Sequence, residues 1–190
     1  MKKLLFLILV MTIACQNPNT NSNTTSGKSQ PIKSDNYNYD VEGKIKELGI
    51  VLTEPSKPVA NYVNAVTSGN LVFLAGKGPN KPEGGYVTGK IPSQLSVEEG
   101  YQAARLTGIA QLSALKGHLG DLNKVKRIVK VVGMVNADAD FTEHPEVING
   151  FSDLMVEVFG ERGKHARAAV GMTSLPRDIA CEIEMIVEVE

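Results

Sequence analysis

Arg167 is the residue whose type and surroundings most directly indicate chemistry in this sequence. It stands in the stretch HARAAVGM, and strand alternation places it on one face with Ala169 and Gly171. A guanidinium group keeps its charge when it is buried, so it requires an anionic partner. Its planar donors match a carboxylate, and the small neighbours leave space beside it. The sequence therefore predicts a site for a small carboxylate, and an internal salt bridge to Glu182 or Glu184 is the alternative.

Other patterns indicate ligand chemistry less well. The stretch GGYVTGK fits a phosphate-binding loop, but Ile91 stands where magnesium-binding Ser or Thr belongs and Pro92 follows where a helix should begin. We therefore interpret it as a loop between strands. The three histidines lie in different elements without paired ligand spacing, so neither a metal nor another cofactor is expected. Cys181 falls on the apolar side of its strand, which favours an inert core thiol over a nucleophile.

The elements that must position these residues follow from hydrophobic periodicity and turn signals. Ser96 and Glu99 form a capping box ahead of a long amphipathic helix that ends at Gly120. Pro145 and Gly160 bound a second amphipathic helix. The other predicted elements are a leading helix from 41 to 48, two strands joined at 68–70, and strands at 125–135, 164–172 and 179–189.

This order of elements predicts an α+β fold built on one mixed sheet. The two long helices must cover the same face of the sheet, because neither has another partner. Glutamates alternate with apolar residues along the last strand, so the second face tolerates water there. The strand at 125–135 is apolar on both sides, however, and we therefore expect self-association to bury the second face.

The N-terminal segment predicts export. Residues 1–15, MKKLLFLILVMTIAC, have two lysines before an apolar run that is too short to span a bilayer comfortably. The residues around Cys15 resemble the lipobox of bacterial lipoproteins, although Thr12 replaces the usual aliphatic residue. We expect a signal peptide with a lipidated Cys15, a disordered polar tether over 16–39 and a globular domain over 40–190. The protein would be periplasmic or membrane-anchored through that lipid; an ordinary signal peptide or a misassigned start is the alternative.

Composition limits the class of partner. Of the 190 residues, 42% are hydrophobic and 22% charged, and the net charge is -1, as in an ordinary globular domain. Basic residues form no stripe interleaved with aromatic ones, so nucleic acid is not expected as a partner. With Cys15 lipidated, Cys181 has no intramolecular disulfide partner.

Several stretches resemble the Rid/YjgF family of reactive-intermediate deaminases, formerly described as L-PSP endoribonucleases. HARAAVGMTSLPRDIACEIEMIVEV resembles the family pattern P-A-R-S-x-V followed by L-P-x-x-x-x-[IV]-E-I-E. ANYVNAV and NLVFLAGKGP resemble GPYxQAV and LxxxSGQxP, and VINGFSDLMVEVFGE resembles a helix with N-x-x-Y-x-x-F-F. The resemblance covers about residues 59–189, and it implies a chorismate-mutase-like fold and a homotrimer whose ligand clefts lie between subunits.

The resemblance also implies roles for individual residues. Arg167 matches the arginine that clamps the substrate carboxylate, and Glu182 matches the glutamate that positions or activates water. Tyr62 and Asn149 match a tyrosine and an asparagine of the cleft, and Gly76 matches the glycine of S-G-Q.

This sequence departs from the family pattern at several positions. Ala75 replaces the serine of S-G-Q and so lacks a hydroxyl for the substrate nitrogen or for water. Ala169 replaces a frequent cysteine, and it would contact substrate through its backbone carbonyl. Residues 40–57 and 77–94 exceed the short members of the family, which indicates a longer, divergent branch.

The function that the resemblance implies is hydrolysis of the enamine or imine of a 2-amino acid, as in 2-iminobutanoate/2-iminopropanoate deaminases. The products would be a 2-keto acid and ammonia, and no cofactor is required. A non-catalytic module of the same fold that binds small carboxylates is the alternative, and endoribonuclease activity ranks third.

Overall fold

Helices and strands follow one another along the chain in the predicted order. The computed structural model describes residues 39–55, 58 and 60–190. The elements are α1 (Val41–Glu47), β1 (Ala65–Ser68), β2 (Leu71–Lys77), α2 (Val97–Leu119), β3 (Val125–Asn136), α3 (His144–Phe159), β4 (Ala166–Met172) and β5 (Cys181–Val189). The predicted signal peptide, Cys15 and the tether up to residue 38 lie outside the described residues, so they stay predictions. Within the described part, no helix is both long and apolar enough to cross a bilayer.

The strands form one mixed sheet in the order β1-β2-β5-β3-β4. The hairpin of β1 and β2 is antiparallel, and β5 runs antiparallel to both β2 and β3. The strands β3 and β4 are parallel, so the chain must cross between them, and α3 is that crossover. The sheet therefore has β1 and β4 as its edge strands, and Arg167 lies on β4.

The helices α2 and α3 cover one face of this sheet. On β5 the residues that point toward the helices are buried, namely Cys181, Ile183, Met185, Val187 and Val189. The alternate residues, including Glu182, Glu184 and Glu188, point to the opposite face. No helix of the described residues covers that opposite face, which we call the open face. The prediction of a mixed sheet with two helices on one face is confirmed.

The ends of α2 and its approach to α3 follow from particular residues. Ser96 and Glu99 form the predicted capping box, and Gly120 ends the helix in the left-handed conformation with φ 75°. A side chain at Gly150 of α3 would collide with the backbone oxygen of Tyr101 of α2. Only glycine permits the two helices to approach so closely at this point, and this approach fixes where α3 lies over the sheet.

The long loop after β2 is anchored to the ends of the sheet. Lys90 donates from Nζ to the Thr173 oxygen at 2.5 Å and to Asn136 Oδ1 at 3.2 Å. The next residue, Ile91, forms a bridge with Ala137. The Lys90 ammonium group is bonded to oxygens of the protein itself, and residues 91–96 after it are not helical. The phosphate-loop interpretation of GGYVTGK is therefore wrong, and the loop interpretation is confirmed.

Candidate active site

Arg167 lies on the edge strand β4, and its side chain reaches the surface of α3. Its Nη1 donates to Asn149 Oδ1 at 2.9 Å and to Ser152 Oγ at 3.0 Å. Both acceptors are neutral, and the ion pairs found among the described residues do not include Arg167. The alternative of an internal salt bridge to a glutamate of β5 is therefore wrong. In the described part of the chain, Nε and Nη2 have no hydrogen-bond partner.

Ala169 and Gly171, which follow Arg167 on the same face of β4, are small for different reasons. Ala169 is half-buried and packs against the core. Gly171 lies directly under the ring of His144, and a side chain there would collide with His144 Nε2. The start of α3 therefore lies close to the end of β4, while nothing larger than a methyl group stands beside the guanidinium on its own strand.

His165 and Ser152 extend the hydrogen bonds of Arg167. His165 Nε2 lies 3.1 Å from Ser152 Oγ, and His165 Nδ1 lies 2.7 Å from the Gly163 oxygen. Burial lowers the pKa of His165, and the charge of Arg167 adds to that effect, although the bond to Gly163 opposes it. Neither His165 nor Ser152 had a role in the site predicted from the sequence. Only the three-residue spacing of Asn149 and Ser152 on a helix could have indicated a shared contact.

Glu182 lies on the open face, and its carboxylate lies over Gly76 of β2. A side chain at position 76 would collide with Glu182 Oε1, so glycine is required for this placement. Burial, with a smaller contribution from Glu184, raises the pKa of Glu182, and Lys77 partly offsets this. Lys77 is itself buried and donates to Asn64 Oδ1 at 2.6 Å. Burial lowers the pKa of Lys77, and Glu182 opposes that shift.

Gln111 of α2 holds the irregular part of β2 next to Gly76. The register between β2 and β5 shifts between Leu74 and Lys77. At this point the buried Gln111 donates from Nε2 to the Ala75 oxygen at 3.0 Å and to the Ile183 oxygen at 2.5 Å. Its bonds reach both strands, so the helix fixes the strand geometry beneath Glu182.

Arg167 and Glu182 do not meet within one protomer. Arg167 of β4 pairs with Val131 of β3, and Val131 pairs with Met185 of β5. Glu182 lies three residues before Met185 on β5. Two strand spacings of about 4.8 Å and three residues of about 3.3 Å separate their Cα atoms by about 14 Å. Their side chains also point to opposite faces of the sheet. One small ligand therefore cannot contact both residues of a single chain.

The other predicted site residues fall into the same two groups or into neither. Asn149 contacts Arg167, and Gly76 contacts Glu182. Tyr62 is 49% exposed and precedes β1, the edge strand farthest from β4. A groove of about 530 Å³ between α1, residues 49–55 and α2 contains none of these residues. The buried thiol of Cys181 has a pKa raised to about 12, as befits the predicted inert core cysteine.

The fold and the two groups of residues define an α+β protein of the chorismate-mutase-like class. The family model described as "YjgF/chorismate_mutase-like, putative endoribonuclease" matches residues 42–189. The chain belongs to this YjgF family.

Its relatives include proteins with quite different names. The chain is 42% identical over 149 residues to "Protein TCP17" of Trypanosoma cruzi, covering 78% of this chain and 93% of that protein. It is 28% identical over 133 residues to the "2-iminobutanoate/2-iminopropanoate deaminase" of Escherichia coli K12, covering 67% and 87%. A solved structure of a "putative endoribonuclease" from Shewanella oneidensis is similar with a TM-score of 0.76 and 28% identity, covering 80% of this chain and 100% of that one.

Proposed function

We propose that the protein hydrolyses small 2-imino acids to 2-keto acids and ammonia, with Arg167 binding the carboxylate. The observation that carries this proposal is the set of hydrogen-bond partners of the guanidinium group. Its Nη1 is held by Asn149 and Ser152, which leave its charge uncompensated, while Nε and Nη2 stay available in the described structure. The relative from Escherichia coli that is named as an imine deaminase supports the same reaction class.

We also propose that the site is completed by a second copy in a homotrimer. Arg167 and Glu182 point to opposite faces of one sheet, so they can act on one ligand only if they come from different protomers. The open face also carries large exposed apolar side chains, namely Val66, Phe73, Val170 and Met172. Burying them against another copy would bring the edge strand β4 of one protomer toward Glu182 of the next.

The assembly can be tested with one strand substitution. Phe73→Asp places a charge in the proposed interface, so light scattering should report a single chain mass in place of three times the 20.4 kDa of one chain. Val156→Asp is the control, because Val156 is similarly exposed, at 36%, on the outer side of α3. A wild-type protein that is monomeric at micromolar concentration would contradict the trimer.

In the proposed reaction, Glu182 transfers protons while Arg167 holds the substrate. The Glu182 carboxylate takes a proton from a water molecule as the oxygen of that water bonds to C2 of the protonated imine, giving a carbinolamine. The protonated Glu182 then donates to the nitrogen, and the C–N bond breaks to release ammonia. The hydroxyl passes its proton to that ammonia as the keto group forms, which leaves Glu182 as the carboxylate again. General acid–base transfer of this kind contributes a rate factor of about 10²–10⁴. Positioning of C2 by the carboxylate contact adds to it.

The reaction is tested with freshly generated 2-iminopropanoate. The wild-type protein should accelerate release of the keto acid above the spontaneous rate, and Arg167→Ala should release it no faster than buffer. Circular dichroism of the variant checks that it is folded. If the wild-type protein gives the spontaneous rate, the deaminase proposal is rejected.

A non-catalytic carboxylate-binding module is the second candidate. It is favoured by Ala75, which offers no hydroxyl beside Gly76 and whose backbone oxygen is engaged by Gln111. Thermal stabilisation by 2-keto acids without any acceleration of imine hydrolysis would select this candidate over the first.

Endoribonuclease activity has the weakest physical support, although the family description contains that word. RNA binding depends on neutralising backbone phosphates with clustered lysine and arginine. The chain has 20 basic and 21 acidic residues, and Arg167 is a single cation between neutral partners.

A further inference from the structure

We propose that Ser152 and His165 are positioning residues that fix the plane of the Arg167 guanidinium for side-on binding of a carboxylate. This inference rests on the proposed role of Arg167 in carboxylate binding. Where this chain has His165 and Ser152, the family patterns have proline before A-R and tyrosine three residues after the helix asparagine. The pair therefore belongs to this chain rather than to the shared pattern.

The hydrogen-bond directions along this pair follow from the chemistry of its two ends. The Gly163 carbonyl can only accept, so His165 Nδ1, 2.7 Å away, carries the proton. Burial lowers the pKa of His165 and so favours the neutral ring, and with the proton on Nδ1 a neutral ring presents Nε2 as an acceptor. The Ser152 hydroxyl, 3.1 Å from Nε2, must therefore donate to it.

The direction of the Ser152 hydroxyl decides how it meets Arg167. Since its hydrogen points to His165, a lone pair of its oxygen faces Arg167 Nη1 at 3.0 Å. A guanidinium nitrogen can only donate, so this is the one orientation of the hydroxyl that satisfies all three side chains. His165 thus acts on Arg167 through Ser152 and has no direct hydrogen bond to it.

The pair restricts the guanidinium to one binding edge. Nη1 has two hydrogens, and both are used, one by Asn149 Oδ1 and one by Ser152 Oγ. Because the group is planar, two fixed hydrogens on one nitrogen fix the whole plane. The edge formed by Nε and Nη2 remains for the two oxygens of a carboxylate. Without Ser152, the guanidinium group could rotate about its one remaining hydrogen bond, to Asn149.

The experiment compares pyruvate binding and imine hydrolysis in serine variants of the full chain. Ser152→Ala should weaken the Kd for pyruvate about tenfold, the value expected for losing one hydrogen bond that orients a charged group. KM should rise by a similar factor while kcat changes less than threefold, because Glu182 is untouched. Ser152→Thr keeps the hydroxyl and should stay within threefold of the wild-type Kd.

Three further variants separate this role from a general loss of packing. Ser113→Ala removes a buried helix hydroxyl that, among the described residues, bonds only to the Ile109 oxygen, and it should leave pyruvate affinity unchanged. His165→Gln retains an acceptor for Ser152 and should bind pyruvate more tightly than His165→Ala. Nitrogen NMR should find the Nδ1–H tautomer of His165 in the wild-type protein.

The outcomes distinguish the two proposals. Equal pyruvate affinity in the wild type and Ser152→Ala, or the Nε2–H tautomer of His165, overturns the positioning role while leaving carboxylate binding intact. A wild-type protein that neither binds pyruvate nor hydrolyses the imine overturns the proposed function, and the positioning role with it.

Discussion

Arg167→Lys is expected to weaken pyruvate binding about 100-fold and to raise KM by a similar factor. Lysine keeps the positive charge but loses the planar pair of donors on Nε and Nη2, and it cannot be held by Asn149 and Ser152 in the same way. Each hydrogen bond to a charged group contributes about 1.5–3 kcal/mol, and losing one to two of them gives this factor. Titration calorimetry with pyruvate measures the Kd, and initial rates of keto-acid release measure KM.

Arg105→Lys is the matched control for this substitution. Arg105 of α2 also makes two hydrogen bonds to one carboxylate, that of Glu157, at 3.2 and 2.6 Å. That pair lies on the outer side of the helices, so its loss should leave pyruvate affinity unchanged. A protein in which Arg167→Lys binds pyruvate as tightly as the wild type would show that charge alone suffices and that the planar donors have no role.

Glu182→Gln is expected to lower kcat by a factor of about 10²–10³ and to leave KM nearly unchanged. Glutamine has almost the same shape over Gly76 but cannot accept or return a proton. In the wild type, the rate should rise with pH as Glu182 deprotonates. Burial places this rise above the ordinary pKa of 4.5, because it disfavours the charged carboxylate.

Two neighbouring substitutions should move this pH dependence in opposite directions. Lys77→Met removes a charge that lowers the pKa of Glu182, so the rise in rate should shift to higher pH. Glu184→Gln removes a charge that raises the pKa of Glu182, so the rise should shift to lower pH. Rate profiles between pH 4 and 9 would record both shifts. If both variants keep the wild-type profile, the titrating group is not Glu182.

The elements of the fold could be predicted because their signals are local. The capping box at Ser96, the glycine after α2 and the alternation along β5 each depend on a few neighbouring residues. Such short-range patterns decide where an element begins and which side of it is buried. The mixed sheet then followed, since two amphipathic helices and five strands have few ways to share one core.

The arrangement of the site could be predicted only in part. Alternation placed Arg167 and Glu182 on the correct sides of their own strands. It could not show that these sides are opposite faces of the sheet, because this depends on the register of both strands against β3. The contacts of Arg167 with α3 depend on how closely that helix approaches the sheet. A side chain at Gly133 of β3 would collide with Ile148 of α3, so glycine permits this approach.

The polar side chains that α2 buries were not predicted at all. Thr107 and Gln111 are fully buried, although composition assigns such residues to the surface. The Thr107 hydroxyl donates to the Ala103 oxygen, and Gln111 Nε2 donates to backbone oxygens of the two strands beneath it. Among the described residues, Gln111 Oε1 has no hydrogen-bond partner. A periodicity of apolar residues does not detect partners that lie elsewhere in the chain.

The bond from Gln111 to the shifted segment of β2 has a consequence for how activity can be altered. The helix sets the path of Ala75 and Gly76, and thereby the position of Glu182, the carboxylate proposed to transfer protons, although α2 lies on the other side of the sheet. Turnover should therefore be sensitive to substitutions on the buried side of α2 that faces the sheet. Selection of faster variants in the laboratory could therefore yield substitutions in α2 as readily as substitutions next to the proposed ligand site.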